Sequence, residues 1–206
     1  MSKTNYVKIV TPVGVSQFCW LNVPDTKFDE TGHYKTNLIV NAKEGLSITK
    51  SITEEVKKAI ALGADKSKGK EVKQANLPFE EEYIDGKPTG NVIFKFKTKA
   101  KIITKDGKVI PNKVAIFDSQ GKPMTDINIW SGSEMKVSAE LIPYFTAMAG
   151  AGVSLRLRAV QITKLVEGGN ANSAGHGFDK VDDGYVAPAA DKTFENEVQP
   201  QTNTDF

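Results

Sequence analysis

Residues 94–101, FKFKTKAK, alternate apolar or small side chains with lysine. Successive side chains of a β-strand point to opposite faces. As a strand, the segment puts Val92, Phe94 and Phe96 on one face and Lys95, Lys97, Lys99 and Lys101 on the other. The same period recurs in EMKVSAELI (134–142) and in GVSLRLRAVQITKLV (152–166), where Leu155 and Leu157 oppose Arg156 and Arg158. A chain with this much period-2 patterning is built around sheet, with the phenylalanines in its core and the cations outside. A lysine row on a strand is ordinarily only its wet face, so the row needs independent support before it is read as a binding surface.

Other segments fill in the architecture. VKIVTPVGVSQFCWL (7–21) reads as a long strand bent or bulged at Gly14, with Cys19 and Trp20 as core at its end, and YKTNLIV (34–40) as a second strand. In SITEEVKKAIALG the apolar period becomes helical, with Ser51 and Glu54 as a capping box and Gly63 as the stop. Residues 64–90, polar and rich in Lys, Gly and Pro, read as a loop that includes Glu80, Glu81 and Glu82. Asp106-Gly107 marks a hairpin, and SQGKPM another turn. About seven strands with one inserted helix indicate a mainly β fold: a five-stranded Greek-key barrel of the OB type with extra strands. An immunoglobulin-like sandwich is the competing architecture.

The charge is divided unevenly. Eight acidic residues against two lysines give residues 167–206 a net charge of −6, which leaves +8 on residues 1–166. From Gly168 the chain turns to Gly, Ala, Asn, Pro and acid, a composition expected to stay disordered. The expected organisation is therefore a β domain over 1–166 and a flexible acidic tail over 167–206. A basic body with an acidic tail fits a polyanionic partner.

Catalytic and metal chemistry lack their residues. One cysteine, Cys19, and two histidines, His33 and His176, cannot make a zinc finger or ribbon. GADKSKGK (63–70) has the wrong spacing for a phosphate loop, and AGAGVS (149–154) lacks the third glycine of a dinucleotide site. The expectation is a non-enzyme without cofactor or metal. MSKTNYVKIV has no long apolar segment after its lysine, so no signal peptide is expected, and no apolar run is long enough to span a bilayer. What remains is cations in rows with aromatics interleaved: Lys95, Lys97, Lys136, Arg156 and Arg158, with Tyr144 displayed after Pro143 at a strand end. A cationic groove with stacking aromatics is the physical recipe for binding single-stranded nucleic acid.

FKFKTKAKI, VAIFDSQGKPM, SGSEMKVSAELIPY and GAGVSLRLRAVQITKLVEGG resemble, in that order and spacing, the replicative single-stranded DNA-binding proteins of T-seven-like bacteriophages. DDGYVA (182–187) and the terminal Asp205-Phe206 look like that family too, and GHYKTNLIV (32–40) resembles it more loosely. The resemblance implies an OB-fold homodimer that binds single strands without base specificity in DNA replication, recombination and repair, in the cytoplasm of the infected bacterial host. It implies DNA contacts by Lys95, Lys97, Lys136 and Tyr144, and the looser match adds Tyr34 and Lys35. It also implies that the tail, through Asp205 and Phe206, meets the phage DNA polymerase and helicase-primase. Ser138 stands where the family can carry another lysine, and Asn, Gln, Pro and Thr dilute the family's acidic run. An RNA-binding OB-fold protein and a structural β-sandwich component of a phage particle are the alternative readings.

Overall fold

The computed structural model describes residues 5–66, 71–104, 106–125 and 127–166. The expected acidic tail, with Asp205 and Phe206, lies outside the described residues. Among the described residues, ten strands and one helix follow in the order β1 (Val7–Val10), β2 (Gly14–Asp25), β3 (His33–Asn41), α1 (Ala42–Lys66), β4 (Phe79–Ile84), β5 (Lys87–Lys99), β6 (Lys101–Ile103), β7 (Val109–Pro111), β8 (Ala115–Phe117), β9 (Glu134–Thr146) and β10 (Gly150–Lys164).

Five of these close on themselves. β2 pairs with β3, β3 with β5, β5 with β10, β10 with β9, and β9 with β2. All of these junctions are antiparallel except β5–β10. This is the expected five-stranded OB-type barrel. β1, β4 and β8 add to its margins, and β6 and β7 form a separate hairpin at the Asp106-Gly107 turn.

The barrel closes because period-2 patterning gives each wall one apolar face. Tyr34, Leu38 and Val40 on β3, Phe94 and Phe96 on β5, Met135, Val137 and Leu141 on β9, and Val153, Leu155 and Leu157 on β10 all point inward. Phe94 and Phe96 are 0% and 2% exposed. On β10 the inward parity changes after Leu157, where a register shift precedes Ala159, and Val160 and Ile162 carry the core onward. The bend expected at Gly14 separates β1 from β2. Both run along β9, β1 opposite Ser138–Leu141 and the start of β2 opposite Glu134 and Met135.

The helix differs from its expected bounds at both ends. It starts at Ala42, where Asn41 Oδ1 accepts the Lys43 amide at 3.0 Å and serves as the N-cap. The Ser51 hydroxyl instead donates to the Ser47 carbonyl within the helix, so the S-x-x-E box caps nothing. Gly63 continues the helix: a Cβ there would stand 2.8 Å from Phe145 Cδ2 and 2.9 Å from Val72 Cγ1. Glycine at this position serves close packing of the helix on its neighbours. Ile48, Ile52, Val56 and Ala59 form the buried stripe that packs on β9 and β10.

The loop expected over 64–90 is also replaced. Its second half is β4 and the start of β5, joined at Asp85 and Gly86 with φ of 50° and 75°. Positive φ at both residues is the hairpin geometry that an Asp-Gly pair favours. Glu80, Glu81 and Glu82 therefore lie on a strand beside the lysines of β5. Among the described residues, no helix is long and apolar enough to cross a membrane.

Candidate nucleic-acid interface

Sheet register collects the outer cations. Lys97 on β5 is opposite Lys35 on β3 and, across the parallel junction, opposite Arg156 on β10. Arg156 pairs in register with Glu140 on β9, which pairs with Lys8 on β1. Neighbouring strands lie about 4.8 Å apart, so these residues form one transverse row. A second row joins Asn37 to Lys95.

Beside these rows lies an open groove of about 520 Å³. Lys35, Lys95, Lys97, Asn37, Asn76 and Tyr144 all line it. Tyr144 on β9 faces Gly152 on β10 in register, and a Cβ on Gly152 would stand 2.8 Å from the tyrosine Oη and 3.0 Å from its Cζ. The absent side chain lets the ring lie against the β10 backbone. Asn76 reaches the rim because the segment before β4 is zipped to β10: the Ala151 amide donates to the Lys73 carbonyl and the Ala75 amide to the Ala151 carbonyl, both at 2.8 Å.

The cations differ in how much of their charge is answered within the protein. Lys35 Nζ lies 2.5 Å from Asp25 Oδ2, and Lys95 Nζ lies 2.7 Å from Glu80 Oε2. The hydrogen bond from Lys35, with the Lys27 amide behind it, holds the Asp25 carboxyl below the usual carboxylate range. Arg156 donates to Glu140 through Nε at 3.0 Å and through a second nitrogen, and its guanidinium lies 5.0 Å from the Tyr6 ring centroid. Arg158 Nε stands 3.9 Å from the other Glu140 oxygen. Burial opposes ionisation of Glu140, but the bond and charge of Arg156, helped by Arg158 and Lys8, hold its pKa below the usual 4.5. Lys97 makes no ion pair among the described residues.

The expected site residues thus separate. Lys35, Lys95, Lys97 and Tyr144 share the groove. Arg156 is one strand from Lys97 but engaged by Glu140. Lys136 lines a different recess with Val10, Phe117 and Ser138. Tyr34 is a correction: it is 6% exposed and packs in the core, because strict alternation of β3 turns it inward whenever Lys35 faces out. Trp20 is a second correction, since it is 41% exposed while Cys19 is partly buried against the core. Asn37 and Asn76 were missed. Asn37 shares the parity of Lys35 in YKTN and was readable; Asn76 depends on a tertiary contact. No group of three or more His, Cys, Asp or Glu among the described residues is placed to hold a metal.

The family model described as single-stranded DNA-binding protein, bacteriophage T7, matches residues 13–165, which contain the whole barrel and the groove. The crystal structure of gp2.5, a single-stranded DNA-binding protein encoded by bacteriophage T7, is similar at 25% identity and a TM-score of 0.68, covering 89% of this chain and 100% of that one. The single-stranded DNA-binding protein of bacteriophage Enc34 in complex with ssDNA is similar in fold at 15% identity and a TM-score of 0.57, covering 78% of this chain and 88% of that one. A C-terminal truncation of the Enc34 protein matches at 14% identity and the same TM-score, covering 78% and 87%. No curated protein matches the chain by sequence.

Proposed function

This chain belongs to the bacteriophage T7 single-stranded DNA-binding protein family, and from that premise we propose that it binds single-stranded DNA along the groove beside β3, β5 and β10. The observation that carries the reading is the convergence of Lys35, Lys95, Lys97 and Tyr144 on one cavity from three strands that are separate in sequence. The lysines are compact point charges suited to phosphates. The Tyr144 ring offers a base a stacking surface, and every base has a face that can use it. Point charges and stacking do not discriminate bases, so binding is independent of sequence. Among the described residues, the one long helix packs its apolar stripe on the barrel and is not presented as a duplex-reading element.

In this reading the protein coats single strands during phage DNA replication and recombination, in the cytoplasm of the infected host, as a homodimer. The net −6 of residues 167–206 supports a competitor for the cationic groove, with an effective concentration set by the tether. Displaced by DNA, the tail is free to meet the phage DNA polymerase and helicase-primase, with Phe206 as its apolar anchor and Asp205 beside it. The domain division at 166 belongs to the same proposal. Deleting 168–206 is expected to tighten DNA binding and abolish recruitment; unmoved DNA affinity would remove the tail as a competitor.

The test of the function is fluorescence anisotropy of a labelled mixed-sequence 30-mer, single-stranded and duplex, at several salt concentrations. Tighter and salt-sensitive binding of the single strand is expected. Equal or negligible binding of both would overturn the proposal and leave the lysine rows as solvated surface.

A further inference from the structure

We propose that Trp20 and Trp130 form a second base-stacking subsite that extends the DNA path beyond the groove. The proposal rests on the single-strand-binding reading above and adds a place and a pair of residues to it. Its origin is a register irregularity between β2 and β3. Gln17 is opposite Asn37, but the next partners are Trp20 and Lys35, so Phe18 and Cys19 on β2 share the space opposite Thr36 alone. Phe18 has a φ of 52°, a left-handed conformation that a bulged strand can require. An unbroken register would set Cys19 against Lys35 and turn Trp20 inward beside Tyr34. The extra residue reverses this. Cys19 stays at the core margin, 3.5 Å from Thr36 Oγ1, and Trp20 emerges on the outer face next to Lys35.

Trp130 arrives from the segment before β9. It is fixed to the barrel through its backbone, its amide donating to the Val166 carbonyl and its carbonyl accepting the Ser133 amide. The two indoles, 41% and 52% exposed, line one recess of about 250 Å³ together with Leu21, Val23 and Ile129. Among the described residues, no acidic side chain lines it. Lys35 connects the two places. It lines the Tyr144 groove and is also the register partner of Trp20, about 4.8 Å away across the sheet. A strand whose phosphates follow Lys97 and Lys35 is thereby led to the indoles. Exposed aromatic surface beside a cation row suits a base better than an apolar peptide, which would gain nothing from the lysines.

The chain contains two tryptophans, Trp20 and Trp130, so tryptophan emission excited selectively, beyond tyrosine absorption, arises from this subsite. The experiment titrates the full-length protein with unlabelled oligo(dT) while tryptophan emission is recorded, and follows binding in parallel by anisotropy of a labelled oligomer. Emission is expected to change in step with the bound fraction and to recover when salt releases the DNA. Trp20→Ala is expected to weaken binding roughly 5- to 150-fold, the range for one lost base stack, whereas Trp20→Phe retains most of the affinity. If Trp20→Ala unfolds, Trp130→Ala serves as the second variant, with loss in the same direction expected. Binding by anisotropy with unchanged emission and full affinity in both alanine variants overturns the subsite and leaves the family reading standing. No binding of single strands by either method overturns both.

Discussion

Two clusters of cations on the outside of the barrel look alike in the sequence and differ in the fold. Lys95 and Lys97 on β5, and Arg156 and Arg158 on β10, each alternate with core residues and each supply two positive charges. On β10 both arginines converge on Glu140, whose side chain is only 13% exposed, so one carboxylate answers about one of their two charges, chiefly that of Arg156. On β5 Lys95 has one partner, the exposed Glu80, and Lys97 has none among the described residues. A surface pair of the Lys95–Glu80 kind contributes little and is readily exchanged. Charge counted along a strand therefore overstates the charge offered to a ligand. The residue that the neighbouring strand places in register decides how much is left.

That contrast can be broken most forcefully at Tyr144, the aromatic of the groove. Tyr144→Ala is expected to weaken single-strand binding by about 1–3 kcal/mol, measured by anisotropy, while Tyr144→Phe keeps the ring and most of the affinity. Equal losses in both would mean that the hydroxyl, not stacking, carries the contact. Next in size is the charge comparison itself. A Lys95→Ala/Lys97→Ala variant should lower the slope of log affinity against log salt by about 1.4, two phosphates at about 0.7 each. Arg156→Ala, which removes the cation that Glu140 engages, should lower the slope less, and a matching fall per residue there would erase the distinction between the clusters.

A smaller, opposite effect is expected from Glu80→Gln, which releases Lys95 from its carboxylate. Affinity should rise a few-fold at low salt and converge with wild type at high salt, since screening removes the difference. A decrease would show that Glu80 positions the lysine rather than competing with DNA for it. The smallest effect concerns stability. The folded pKa of Glu140 lies below its usual 4.5, so its ionised pairing stabilises the fold above that value and is lost as pH falls through the folded one. The melting temperature of Glu140→Gln should therefore trail wild type near neutral pH and approach it as pH falls below the usual 4.5 and through the lowered folded pKa. A constant gap over that range would assign the loss to packing instead.

Legibility followed the range of the interactions involved. The inward Phe94 and Phe96 and the outward Lys95 and Lys97 were readable because a strand's two faces are set by residue parity. The same rule, applied to YKTNLIV, already excludes Tyr34 from the face that carries Lys35. Helix α1 was found from its period but not its start, since Asn41 becomes a cap only where β3 ends. The hairpin at Asp85-Gly86 carries the same Asp-Gly signal as Asp106-Gly107, yet it was hidden among glutamates that read as a loop.

The sequence by itself determined the two faces of each regularly alternating strand, that the fold is mainly β with an inserted helix, and which side chains were available for phosphates and bases. Only the tertiary structure decided which of them meet. The Phe18–Cys19 irregularity reverses the parity of Trp20, the gap at Gly152 admits the Tyr144 ring, and the β9–β10 register commits Arg156 to Glu140. Parity is a property of one strand, whereas register and close approach belong to pairs of strands distant in sequence.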